Sequence, residues 1–345
     1  MMNRTLSPAC SQHHFILAGE RGYGFTGTVY YLIRLRIEFP AVTQPAAATG
    51  YSMTIREAIP DPSNPMGMDG IEFIEYATSQ PQALGALLQK MGFAAVARHR
   101  SREVMLYRQG SMNLIVNAHP DALPGMSAPG STPALAAIAL RVRDAGEAHR
   151  HALELGAWEM PTRAAAMELN IPGIHGVGDS LVYFVDRHKE FSIYDVDFVP
   201  LSGTDPRPPA LAGLHYFGVV QSVLDGRTPD WLDFYQTLFG FSVLPTGKYF
   251  GVLPKGTLLE SPCRKFYLQL IEPPPGAEDI RWEEGLVRIG LGAPDARAAT
   301  RALRDRGVVF IDRGEVQPTE KGALTQVYFG SVTFELVASH LRPDA

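Results

Sequence analysis

The chain has 345 residues, 46% of them hydrophobic and 19% charged, with a formal net charge of −5. That composition suits a globular fold long enough for two domains. The scattered Lys and Arg argue against nucleic acid and anionic membranes as partners. Cys10 and Cys263 lie far apart, so neither a disulfide framework nor a cysteine-based zinc site is expected. No apolar run approaches the roughly 18 residues of a spanning helix, and the cytoplasm is the expected compartment.

Residues 1–63 read as a poorly ordered N-terminal extension. The apolar Tyr30-Tyr31-Leu32-Ile33 is cut short by Arg34 and Arg36, which argues against a secretory signal. The Pro-, Ala- and Thr-rich stretch 40–50 reads as flexible chain, and Met53 is the expected native start.

From Gly70 onward a pattern of strand, helix, glycine and further strands repeats four times. The first copy has a strand at 71–76, a helix at 80–90 before Gly92, and strands at 93–97, 103–107 and 113–117. The second opens at 136–142, has a helix at 145–155 before Gly156, and ends in strands at 181–185 and 192–198. The third opens at 214–220, with a helix at 229–238 before Gly240 and strands at 249–253 and 265–271. The fourth opens at 285–291, has a helix at 295–305 before Gly307, and closes with strands at 325–329 and 333–337.

A glycine just past a helix suits the left-handed position that ends it. Trp231, Leu232, Tyr235, Leu238 and Phe239 recur at helical spacing, so that helix offers one apolar face to a sheet. A single β-α-β-β-β unit cannot cover its own sheet face, so the units are expected to pair. The fold class is α+β. Units one and two form a domain over 64–200 and units three and four a second over 211–340, with the Pro-rich 201–210 as linker and 341–345 as a tail.

On the strand opening unit four, Leu286, Arg288 and Gly290 alternate with Val287, Ile289 and Leu291. Arg288 therefore points away from the apolar face. Inside a curved sheet its guanidinium needs a carboxylate or a bound anion. On an edge strand it sits in water, and periodicity alone favours that second reading.

This four-unit plan resembles the vicinal oxygen chelate fold, in which paired βαβββ units form curled, mostly antiparallel sheets with helices outside. The wording is closer to one family within it. Asn64-Pro65-Met66-Gly67-Met68-Asp69-Gly70, Arg98-His99-Arg100-Ser101, Leu106-Tyr107-Arg108-Gln109-Gly110, Glu168-Leu169-Asn170-Ile171-Pro172 and Ser192-Ile193-Tyr194-Asp195-Val196-Asp197-Phe198 resemble bacterial 4-hydroxyphenylpyruvate dioxygenases. The resemblance is specific over 64–200 and looser over 211–339. It implies a scaffold first domain and an active-site cup in the second. There Fe(II) is held by two His and one Glu, leaving positions for an aromatic 2-oxo acid and O₂.

By that resemblance His215 fits the first metal ligand and Glu335 the carboxylate ligand. The position of the second His holds Arg288. No His lies between His215 and His340, and His340 falls five residues past Glu335, beyond the strand's expected end. A guanidinium stays protonated and has no lone pair for a metal. The expectation is that Arg288 stands in the metal's place and pairs with Glu335. Gln269, Gln326 and Tyr328 match substrate-side positions, while Ile271 stands where the family has an Asn.

Each of these residues also has a plainer reading. His215 could be a satisfied structural histidine, Glu335 an outward strand residue, and Gln269 and Gln326 ordinary sheet-face polar groups. Three functions follow: an iron dioxygenase, a metal-free protein in which Arg288 takes a carboxylate, or a scaffold whose first domain mediates association. The expected partner is a small-molecule carboxylate or 2-oxo acid, and a homo-oligomer is compatible with the sequence.

Overall fold

The computed structural model describes residues 61–119, 132–161, 168–189, 191–247, 250–252, 256–274, 276, 282–313 and 317–341, all within one compact unit, 58–345. The expected extension, apart from 61–63, and the Met53 start lie outside the described residues. Among the described residues no helix is long and apolar enough to cross a membrane.

The first unit comprises β1 (Ile71–Ala77), α1 (Pro81–Lys90), β2 (Ala94–His99), β3 (Val104–Gln109) and β4 (Met112–Asn117). The second comprises β5 (Ala134–Arg141), α2 (Ala145–Glu154), β6 (Gly173–His175), β7 (Leu181–Val185), α3 (Ile193–Asp197) and β8 (Phe198–Pro200). The third is β9 (His215–Ser222), α4 (Thr228–Phe239), β10 (Ser242–Val243), β11 (Thr257–Glu260) and β12 (Tyr267–Ile271). The fourth is β13 (Gly285–Ala293), α5 (Ala296–Asp305), β14 (Gly322–Leu324) and β15 (Phe334–Ala338).

Local chemistry explains the helix starts. The carboxylates of Asp144 and Asp295 each accept the backbone N–H three residues on, at 2.9 Å, capping α2 and α5. Pro229 occupies the first turn of α4, where its missing N–H costs nothing. The glycines after α1, α2, α4 and α5 all have positive φ.

Three expected strands differ. Residues 193–197 form α3, because the backbone N–H and hydroxyl of Ser192 both donate to Asp195, at 2.8 and 2.9 Å, and lock a helical turn. Within 249–253 the described residues, 250–252, lie in a turn. Residues 325–329 pair only through isolated bridges, since Phe329 and Gly330 have positive φ and fold Tyr328 back on Val332.

The sheet has two similar halves. In the first the strand order is β6-β7-β5-β1-β4-β3-β2-β8, and in the second β10-β11-β12-β9-β13-β15-β14. In each half the two opening strands run antiparallel at the centre, β1 with β5 and β9 with β13. Each opening strand is flanked on its other side by a parallel strand from later in its own unit. That is the pairing the repeated β-α-β-β-β order requires, because the helix carries the chain across the sheet.

One main core joins both halves. Leu84 and Leu88 of α1, Ala148 and Ala152 of α2, Leu238 and Phe239 of α4, and Ala299 and Leu303 of α5 are all buried in it. The halves meet where Leu286 pairs with Leu135. Beside that joint Gly178 has φ 56°, and a Cβ there would lie 1.8 Å from the Glu284 carbonyl oxygen, so only glycine fits. The Tyr216 hydroxyl, from β9, donates to the Asn113 carbonyl of β4. Segment 201–210 is tied to the β3–β4 hairpin, whose Gly110 N–H and Arg108 Nη1 donate to the carbonyls of Pro208 and Pro206 at 2.8 Å.

Candidate functional site

The alternation on β13 separates two environments. Ile289, Leu291 and Ala293 enter the helix-side core, together with Phe334 and Leu336 of β15 and Leu268 and Leu270 of β12. Side chains alternate across a strand, so Arg288, Gly290, Glu335, Val337, Tyr267 and Gln269 share the opposite face. Phe217, Tyr267 and Val337 form a separate small apolar cluster there, with Phe250 packed against it.

On that face the structure brings Arg288 and Glu335 together. Arg288 Nε lies 3.2 Å from Glu335 Oε2, and only 12% and 5% of the two side chains is exposed. The N–H is not aimed along this line as a hydrogen bond, so the contact is chiefly one of opposed charges. Burial draws the Arg288 guanidinium below its ordinary pKa, and the Glu335 charge pulls it back up. Arginine keeps its proton under both influences. The other Glu335 oxygen, Oε1, accepts the Val252 N–H at 3.2 Å.

His215 lies elsewhere on the same sheet. It stands opposite Gly292, whereas Arg288 stands opposite Val220, four residues back along β13. Its Nδ1 donates to the Gly213 carbonyl at 3.0 Å, because a carbonyl can only accept. In the neutral ring that leaves Nε2 as acceptor, and the Ser339 hydroxyl donates to it at 2.8 Å. His215 is 4% exposed. Burial holds its pKa below the ordinary value, against a smaller upward pull from the Gly213 carbonyl.

The sign of that shift fixes a pH dependence. The unfolded chain takes up a proton near pH 6.5 that the folded ring resists, so stability should fall as pH drops through about 6.5. His99 and His188 are lowered by burial in the same way. Thermal melts from pH 8 to 5 should therefore show a downward slope that His215→Gln makes shallower. An identical slope in the variant would mean that His215 titrates freely.

The remaining candidates are dispersed. Gln269 stands opposite Val220 and so shares a cross-strand row with Arg288, two strands away. Gln326 is exposed, and its backbone N–H donates to the Val309 carbonyl. The Tyr328 hydroxyl accepts the Val309 N–H at 2.8 Å. Neither side chain has a recorded contact with Arg288 or Glu335. His340 joins the aromatic cluster, with its Nε2 2.9 Å from the Tyr267 hydroxyl. That hydroxyl also donates to Glu260 Oε1 at 3.2 Å. Burial first, and the Glu260 charge next, push the Tyr267 phenol up to about 12. Among the described residues no group of three His, Cys, Asp or Glu side chains converges as a metal-binding set.

Sequence reasoning missed two participants. Ser339 occupies His215, and segment 250–252 covers Glu335. Neither carries a motif, since both act through contacts made far along the chain.

Known proteins share this architecture. Residues 63–199 match the family model described as hydroxyphenylpyruvate dioxygenase, HPPD, N-terminal. The chain is 37% identical to Hemolysin VllY of Vibrio vulnificus over 267 residues, covering 73% of this chain and 74% of that one. It is 33% identical to 4-hydroxyphenylpyruvate dioxygenase of Pseudomonas aeruginosa over 262 residues, covering 72% of each. A solved mutant of 4-hydroxymandelate synthase from Streptomyces coelicolor superposes with a TM-score of 0.62 at 18% identity, covering 81% of this chain and 95% of that one, and so shares the fold. The twofold β-α-β-β-β sheet and the identity sustained through both halves have one source: this chain belongs to the 4-hydroxyphenylpyruvate dioxygenase family.

Proposed function

We propose that the second half, residues 211–340, binds a small aromatic 2-oxo acid or related carboxylate through Arg288 without resident iron, and that the first half, 64–200, is its scaffold. One observation carries this reading. The Arg288 side chain is buried, and its Nε faces Glu335 at 3.2 Å without a hydrogen-bond partner among the described residues. A planar guanidinium matches the edge of a carboxylate, which its fork can hold through two parallel hydrogen bonds. The substrate class is borrowed from relatives, several of which are named for 4-hydroxyphenylpyruvate.

Proteins of this family are Fe(II)-dependent. The residues here do not fit that metal. The second imidazole position is Arg288, which offers a positive charge and no lone pair. Glu335 faces that charge, and the free lone pair of His215 accepts from Ser339.

The test is calorimetric titration of phenylpyruvate into chelator-treated protein. Binding should survive the chelator. In Arg288→Gln/Glu335→Gln, which removes both charges together, it should weaken by about tenfold or more, the worth of a charge-assisted pair. Binding that vanishes with chelator, or that ignores the double substitution, would refute the reading.

A further inference from the structure

Four strands align a row of residues on the Arg288 face. Tyr267 of β12 stands opposite Gly218 of β9, Gly218 opposite Gly290 of β13, and Gly290 opposite Glu335 of β15. The row spans about 14 Å, three strand spacings. Its ends carry an aromatic ring and a carboxylate, while its middle carries no side chains. Arg288 sits one alternation from Gly290, beside the carboxylate end.

Segment 250–252 runs from one end of this row to the other. The Phe250 ring lies with its centroid 5.0 Å from Phe217, 4.9 Å from Tyr267 and 5.5 Å from His340. These are ordinary aromatic contact distances. The next residue reaches Glu335: Gly251 has φ 70°, and a Cβ on it would lie 2.2 Å from Glu335 Oε1. Val252 then donates its N–H to that oxygen at 3.2 Å. The chain thus places an aryl group at the ring end and a hydrogen-bonding group at the charged end.

We propose that Phe250–Val252 is an internal stand-in for ligand, and that the site takes a molecule joining an aryl ring to a carboxylate by exchanging it for this segment. The proposal rests on the Arg288 reading above and adds the mode of entry and the place where the ring sits. On binding, the ligand's ring replaces Phe250 among Phe217, Tyr267 and His340. Its carboxylate meets the terminal nitrogens of Arg288, and the Val252 N–H leaves Glu335. A site held closed by its own chain binds with an affinity reduced by the fraction of time it is open.

Two measurements test this. In the wild-type chain, hydrogen exchange at the Val252 amide should speed up when phenylpyruvate is added, although ligands ordinarily protect; slower exchange would overturn the proposal. In titrations, Phe250→Ala and Gly251→Ala should each bind phenylpyruvate about tenfold more tightly than wild type. Phe250→Ala should gain much less for pyruvate, which has no ring. Suppose instead that phenylpyruvate binds both variants no better than wild type while still depending on Arg288. Then the segment is no plug, and the carboxylate reading stands alone. If neither acid binds any of these proteins, both readings fall.

Discussion

Arg288→Met should lower the stability of the chain by about 3–5 kcal/mol, the usual result of stranding one member of a buried ion pair. The reason lies in what the substitution leaves behind. Glu335 is 4% exposed and would keep the Val252 N–H while losing the facing cation. Arg288 itself contributes less than that figure suggests, because burying a guanidinium has its own desolvation cost. Removing both charges, as in Arg288→Met/Glu335→Leu, should therefore recover most of the loss. Denaturant melts of the wild type, both single variants and the double variant give the coupling directly. A double variant as unstable as the sum of its parents would mean that the two side chains act independently, despite their 3.2 Å separation.

The strand–helix order was legible because each unit writes its periodicity plainly. Ile289, Leu291 and Ala293 of β13 enter the core, while the face carrying Arg288 does not. The aspartates and glycines bounding the helices act within a few residues of where they stand. Charge alone asks only that a buried Arg288 find a carboxylate or an anion; the family resemblance singles out Glu335, and β13 and β15 do run side by side.

What remained hidden depends on contacts distant in sequence. Ser339 meets His215 across a sequence separation of 124 residues, and nothing near Ser339 signals this. Gly178 looks like any loop glycine until the Glu284 carbonyl is seen against it. At Ser192 the failure was of another kind. The run 192–198 carries apolar residues compatible with either period, and a local cap at Asp195 decided for helix.

A last expected result concerns metal. After incubation with Fe(II) without oxygen and removal of excess, the wild-type chain should retain well under one equivalent. Arg288→His removes the repelling cation and supplies a second imidazole, yet it leaves the lone pair of His215 committed to Ser339. That single change should therefore give only weak binding. Adding Ser339→Ala releases the His215 Nε2 while the Gly213 carbonyl still fixes its tautomer through Nδ1. The combined variant should bind Fe(II) about tenfold more tightly than Arg288→His alone, the lower end of what outer-shell groups contribute at metal sites. Equal affinities would show that Ser339 is not what withholds His215, and that the four-residue offset between His215 and position 288 keeps the ligands apart. Stoichiometric iron in the unmodified chain would be more damaging. It would require Arg288 to move off Glu335 and the metal to find ligands that the present arrangement does not offer.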